Sequence, residues 1–231
     1  MLMLYSITFA VDSKAQLLNT AKNYVDSKSG TFTEKDAADA IKEALSKGIS
    51  EGVKLVSKTD GYFGNKEIKI PFPQDVKDIE SKLRSIGLGN KVDEVILSMN
   101  RAAEDAAKDA ETIFLNAIKN MTIQDAINIV RGKNDAATQY LKKTTSPELT
   151  TKFRPVIKAS LDKVNATKLW EELIISYNQI PFVKKKNPDL PEYVTQKAID
   201  GLFVMIAKKE MDIRNNPKAQ TSDLLKKVFG K

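Results

Sequence analysis

Asp200 is the residue whose surroundings most invite chemistry. From Ala198 to Ala207 every residue is apolar except Asp200 and Gly201. A carboxylate taken out of water without a partner is costly, so Asp200 is expected to pair with a guanidinium. Two arginines stand in small or apolar surroundings: Arg101 follows Met99-Asn100, and Arg154 precedes Pro155. An Asp200–arginine pair would fix helix register from inside. The same residues outline a candidate polar cluster facing a cleft: Asn100, Arg101, Glu104, Arg154, Thr195, Lys197 and Asp200. Glu104 with Asp200 would supply a carboxylate pair of the kind glycosidases use. Lys197 would supply a Schiff-base amine only in a desolvated pocket. None of these residues is assigned a catalytic role.

The missing residue types exclude more than the present ones suggest. The chain has no cysteine and no histidine. Disulfides, thiolate-ligated zinc or iron–sulfur centres and cysteine nucleophiles are therefore out, as are His-based triads and His-ligated metals. Gly87-Leu-Gly89 lacks the lysine and the preceding strand of a phosphate-binding loop. Asp60 and Asn65 offer two oxygens where calcium needs about six to eight. No cofactor and no metal are expected. The net charge of +7 is a mild bias toward anionic partners. Basic residues are scattered among acids, and Lys184-Lys-Lys186 is the only run of three. Without a basic and aromatic platform, nucleic acid is not an expected partner.

These residues must be positioned by helices. The stretch from about 191 to 214, opened by Leu190-Pro-Glu-Tyr193 and closed by Asn216-Pro217, reads as a central helix enclosed by others. Its apolar run falls short of the roughly 20 residues that span a bilayer, and no transmembrane segment is expected in the mature chain. Before it, Thr33-Glu-Lys-Asp36 reads as a capping box. It opens a helix whose Gly48 and Gly52 imply a close helix crossing. Residues 66–73 alternate apolar and charged positions with Pro71 and Pro73, an edge strand or an arm packed on helices. Helices are expected over 74–86, 90–120, 122–130 and 134–143, then from Ser146-Pro147 onward, over 165–179 and over 222–229. Pro155 is expected to kink or divide its helix.

The chain thus reads as all-α, a single orthogonal or bundle-like domain over 31–231 with about eight or nine helices around the central one. Residues 16–30 read as a loosely held helix. Residues 1–11 are apolar apart from Ser6 and Thr8, and Ser13-x-Ala15 follows; residues 1–15 thus fit a signal peptide or its remnant and a periplasmic or otherwise exported protein, with a cytoplasmic one as the alternative.

Several segments taken together resemble a bacterial family known as domain of unknown function 4197. They are Lys69-Ile-Pro-Phe-Pro73, Met99-Asn-Arg-Ala-Ala-Glu104, Phe114-Leu-Asn-Ala-Ile118, Met121-Thr122, Ala136-Ala-Thr138, Lys152-Phe-Arg-Pro155, Tyr193 through Phe203, and Leu224 through Gly230. The resemblance runs from about Ala37 to Lys231 and implies an exported protein. It brings no activity, ligand or site residue. The function expected is non-enzymatic binding of an apolar small molecule or lipid, or of a cell-envelope protein. A carboxylate-based hydrolase centred on Asp200 and Glu104 is the first alternative, and a purely structural or interaction protein the second.

Overall fold

The structure, a computed structural model, describes residues 33–220 apart from 74, 75, 86, 180, 183, 184, 187, 188 and 217, together with Lys226; it does not describe the side chains of Lys82, Leu173, Ser176 and Tyr177. The expected signal segment at 1–15, the helix at 16–30 and, save Lys226, the helix at 222–229 lie outside those residues.

Eight helices form among the described residues: α1 Glu34–Val56, α2 Lys77–Ser85, α3 Gly89–Ala107, α4 Ala110–Lys119, α5 Ile123–Arg131, α6 Ala136–Asp162, α7 Ala166–Asn178 and α8 Leu190–Asn215. No strand occurs among the described residues. The all-α expectation holds, and the extended segment is an arm. Its first residues form a turn, with the Ile68 and Lys69 N–H groups donating to Asn65 O.

Local chemistry sets the helix starts. Thr33 and Asp36 close a full capping box on α1, and Thr122 and Asp125 close another on α5. Gly87, at φ +86°, ends the α2 turn where a side chain would be strained. The expected helix over 90–120 is two helices. At Lys108 and Asp109 the N–H groups turn back three residues, to Asp105 and Ala106, and break the run.

The break expected at Ser146-Pro147 does not occur, and α6 runs through both Pro147 and Pro155. A proline inside a helix costs about 3 kcal/mol or more. Leu141, Thr145, Leu149, Phe153, Ile157 and Leu161 fall four residues apart and are all buried. Keeping that stripe continuous against α3, α4 and α8 outweighs the lost N–H bonds. Ser146 is therefore no N-cap. Its hydroxyl donates to Lys142 O, and the hydroxyls of Thr144, Thr145, Thr150 and Thr151 likewise bond carbonyls of the preceding turn.

One core runs from Ala38 to Ile206 and draws on every helix from α1 to α8. Ala102, Ala103, Ala106, Ala107 and Ala110 are buried, and α3, their main carrier, packs on α6 and α8. α8 lies against α1, α3, α6 and α7, as a central helix should. It is not encircled, since Val204 is 41 % exposed. Of the two α1 glycines, Gly48 makes the close crossing: a Cβ there would lie 3.3 Å from Ile213 Cδ1. A Cβ at Gly52 would meet nothing within 4 Å.

Candidate functional site

The structure divides the expected polar cluster into separate clamps. Asn100, Arg101 and Glu104 share one face of α3, and there they hold the chain between α1 and α2. The Asn100 side chain works as a peptide group. Its Oδ1 accepts from Ile70 N–H at 2.8 Å, and its Nδ2 donates to Ile70 O at 2.8 Å and to Ile96 O. Glu104, 4 % exposed, accepts from the Tyr62 and Phe63 N–H groups at 3.0 and 3.1 Å through Oε1. Its Oε2 accepts from Arg101 Nη1 at 2.7 Å. Arg101 also donates to Asp60 at 2.7 Å, a residue held in the left-handed region at φ +63°.

Tyr62 passes through this seam into the core. It is wholly buried, and its hydroxyl donates to Ala198 O on α8 at 2.6 Å. Burial pushes the phenol far above its ordinary range, and the nearby Glu104 charge adds to the shift. Gly201 leaves room for the ring, because a Cβ there would stand 2.8 Å from Tyr62 Cε1 and 3.1 Å from Ile68 Cβ. Further along the arm, Tyr193 donates to Pro71 O and Phe72 meets Trp170 edge-on at 5.3 Å. Lys69 Nζ stands 3.9 Å above the Phe63 ring.

Arg154 lies elsewhere, at the start of α8. It pairs with Asp189 at 2.7 Å and with Glu192. Asp189 is the N-cap, accepting from Glu192 N–H. Burial alone would raise the Asp189 pKa; the Arg154 and Glu192 donors more than reverse this and hold it below the usual range.

The expected Asp200–arginine pair does not form. Asp200 is half-buried at the edge of α8, and its carboxylate accepts from Gln196 one turn earlier at 3.0 Å. An apolar run does not bury every residue it contains, and a carboxylate on the open edge of α8 needs no buried partner. Lys197 is also exposed, with its ammonium 6.0 Å from the Tyr193 ring. Thr195 is buried, and its hydroxyl has no hydrogen-bond partner. Glu104 and Asp200 thus have different surroundings, the one buried on backbone N–H groups and Arg101, the other half-buried beside Gln196.

The deeply buried acid of α8 is Glu210, also 4 % exposed. It accepts from Ala137 N–H at 2.9 Å, Thr138 N–H at 2.8 Å and the Thr138 hydroxyl at 2.7 Å. Asp135 makes no side-chain cap, so Glu210 caps α6 from another helix. Arg214 bonds Glu210 and donates to Ile129 O at the end of α5. Negative charge meets a helix start and positive charge a helix end, as their dipoles favour. The four-residue spacing of Glu210 and Arg214 was the one sequence signal for this clamp.

Among the described residues no group of three or more acidic side chains could hold a metal, and no helix is long and apolar enough to cross a membrane. Two small concavities lie along the α1–α8 seam around Leu45 and Ile213, each with room for about one water molecule.

The family described as protein of unknown function (DUF4197) matches residues 31–230. The chain belongs to this family. The family carries no assigned activity that would give Glu104 or Asp200 a role. Comparison with curated proteins and with solved structures brought no match.

Proposed function

We propose that this family member is a non-enzymatic, exported helical protein that works in the cell envelope by binding a partner on its surface. The fate of the buried acids carries this reading. Glu104 and Glu210 have their oxygens engaged by backbone N–H groups and a guanidinium. A general acid or base must reach the proton it transfers, and these carboxylates are turned toward the protein's own backbone. The absence of histidine and cysteine narrows the catalytic options further. The filled core around α8 favours a partner outside over a small apolar molecule inside. Ser13-x-Ala15 supports export.

The test is native mass spectrometry of protein isolated from its own envelope fraction, paired with crosslinking in intact cells. The expected result is a bare chain after isolation and a crosslinked adduct in the envelope. A stoichiometric apolar molecule on the isolated chain would overturn the surface-binding reading. So would a hydrolytic activity that disappears in Glu104→Gln.

A further inference from the structure

We infer that Asp60-Gly61 is a site of spontaneous backbone modification, isomerisation to isoaspartate, and that Arg101 is the residue restraining it. The reacting group is the protein's own aspartyl–glycyl peptide bond, with water as co-reactant. Aspartate before glycine is the pair most open to this reaction, because glycine has no side chain to shield its nitrogen. The chain holds two such pairs, Asp60-Gly61 and Asp200-Gly201.

The chemistry is an internal condensation. The Gly61 nitrogen attacks Cγ of Asp60, a C–N bond forms and water leaves, giving a five-membered succinimide. Water then adds to one of the two ring carbonyls. Opening on the Cγ side restores aspartate. Opening on the other side carries the backbone through Cβ and Cγ and frees the former main-chain carbonyl as a carboxylate. Nothing is oxidised or reduced, and the product has the mass of the parent.

The two pairs have opposite settings. Asp200-Gly201 lies inside the 26-residue α8, with Gly201 buried against Tyr62 and Ile68. Reaction there requires unwinding a helix in the middle of the core. Asp60-Gly61 lies in the turn after α1, outside any helix. The Asp60 side chain is 59 % exposed, so water reaches it. Its φ of +63° is one that aspartate tolerates at some cost. Glycine is required at 61, since a Cβ there would stand 2.3 Å from Val56 O. Close packing of this turn on the end of α1 therefore places a reactive pair on the surface.

Two contacts hold the reacting atoms to different partners. Asp60 Oδ1 accepts from Arg101 Nη2 at 2.7 Å, and Gly61 N–H donates to Lys58 O at 2.9 Å. Attack needs the nitrogen and Cγ aligned at about 3–3.5 Å, so both contacts must open first. Arg101 is the side chain that can be removed. The iso linkage adds one carbon to the main chain just before the Tyr62 and Phe63 N–H groups that Glu104 holds. Isomerisation therefore unfastens this segment from α3.

The experiment is storage of the purified full chain at neutral pH for several weeks, followed by enzymatic methylation of isoaspartate and peptide mapping. The expected result is slow isomerisation at Asp60 and none at Asp200, while the chain unfolded in urea reacts at both. Arg101→Gln should speed reaction at Asp60 about five-fold, the size of an exposed ion pair. Arg101→Lys, which keeps the charge but not the two-way hold on Asp60 and Glu104, should fall between that variant and the parent. Asp60→Glu should abolish the signal, because glutamate must close a larger ring. Arg154→Met, which loosens the start of α8 and leaves this turn alone, should match the parent. No isoaspartate at Asp60 in any folded variant overturns the inference. So does reaction at Asp200 as fast as at Asp60 in the folded parent. Equal rates in Arg101→Gln and the parent remove the restraint assigned to Arg101, and equal acceleration by Arg154→Met reduces it to general loosening.

Discussion

Tyr62 stays a neutral phenol inside the protein because its oxygen donates to Ala198 O and water cannot reach it. Its pKa is raised by burial, then by Glu104. A raised phenol contributes stability that is complete below the unfolded value of about 10 and lost as pH climbs above it. The expected outcome is an alkaline fall in unfolding free energy that flattens in Tyr62→Phe, at a cost of about 1 kcal/mol at neutral pH. Urea titrations at pH 7 and pH 11 check both parts. Asp189 acts with the opposite sign. Its lowered pKa contributes stability above the unfolded value near 4 and loses it as pH falls through the folded value. Arg154→Met should flatten that acid limb, followed by melting temperature between pH 5 and pH 2. Asp200 shows where residue-level reading fails. Its sequence neighbours imply burial, and the half-exposed edge of α8 is not visible in their order.

At the scale of elements, what was legible followed from local rules. The α1 and α5 capping boxes, the glycine end of α2 and the limits of α8 are set by a few adjacent residues. What was not legible depends on partners far away in sequence. The continuity of α6 through Pro147 and Pro155 is decided by its buried stripe against α3, α4 and α8, which overrides the proline signal. Glycine pairs test the packing directly. Gly201→Ala forces a Cβ to 2.8 Å from the Tyr62 ring. It should destabilise by about 1–3 kcal/mol despite the better helix propensity of alanine. Gly52→Ala meets nothing within 4 Å and should stabilise by up to about 1 kcal/mol. Chemical denaturation of both variants compares crowding with propensity inside one protein.

At the scale of the molecule, its deepest charges are used to join elements. Glu104 fastens the 57–73 chain to α3, and Tyr62 carries that contact on to α8. Glu210 and Arg214 fasten α8 to the α5–α6 junction. Of the expected cluster, Asn100, Arg101 and Glu104 share one face of α3, a placement their spacing on one helix makes legible, whereas the positions of Arg154, Thr195, Lys197 and Asp200 relative to them are set only by the fold. The buried acids are thus committed to the fold, and the envelope contact we propose would be made by the surface. The most direct measurement is the unfolding free energy of Glu104→Ala against Asp200→Ala. Removing Glu104 leaves the buried Tyr62 N–H and the part-buried Phe63 N–H without their acceptor, while Arg101 keeps Asp60, and should cost about 2–4 kcal/mol, while Asp200→Ala should stay within about 0.5 kcal/mol of the parent. A Glu104→Ala protein as stable as the parent would contradict the account, because a carboxylate that the fold does not need is one that a reaction could use.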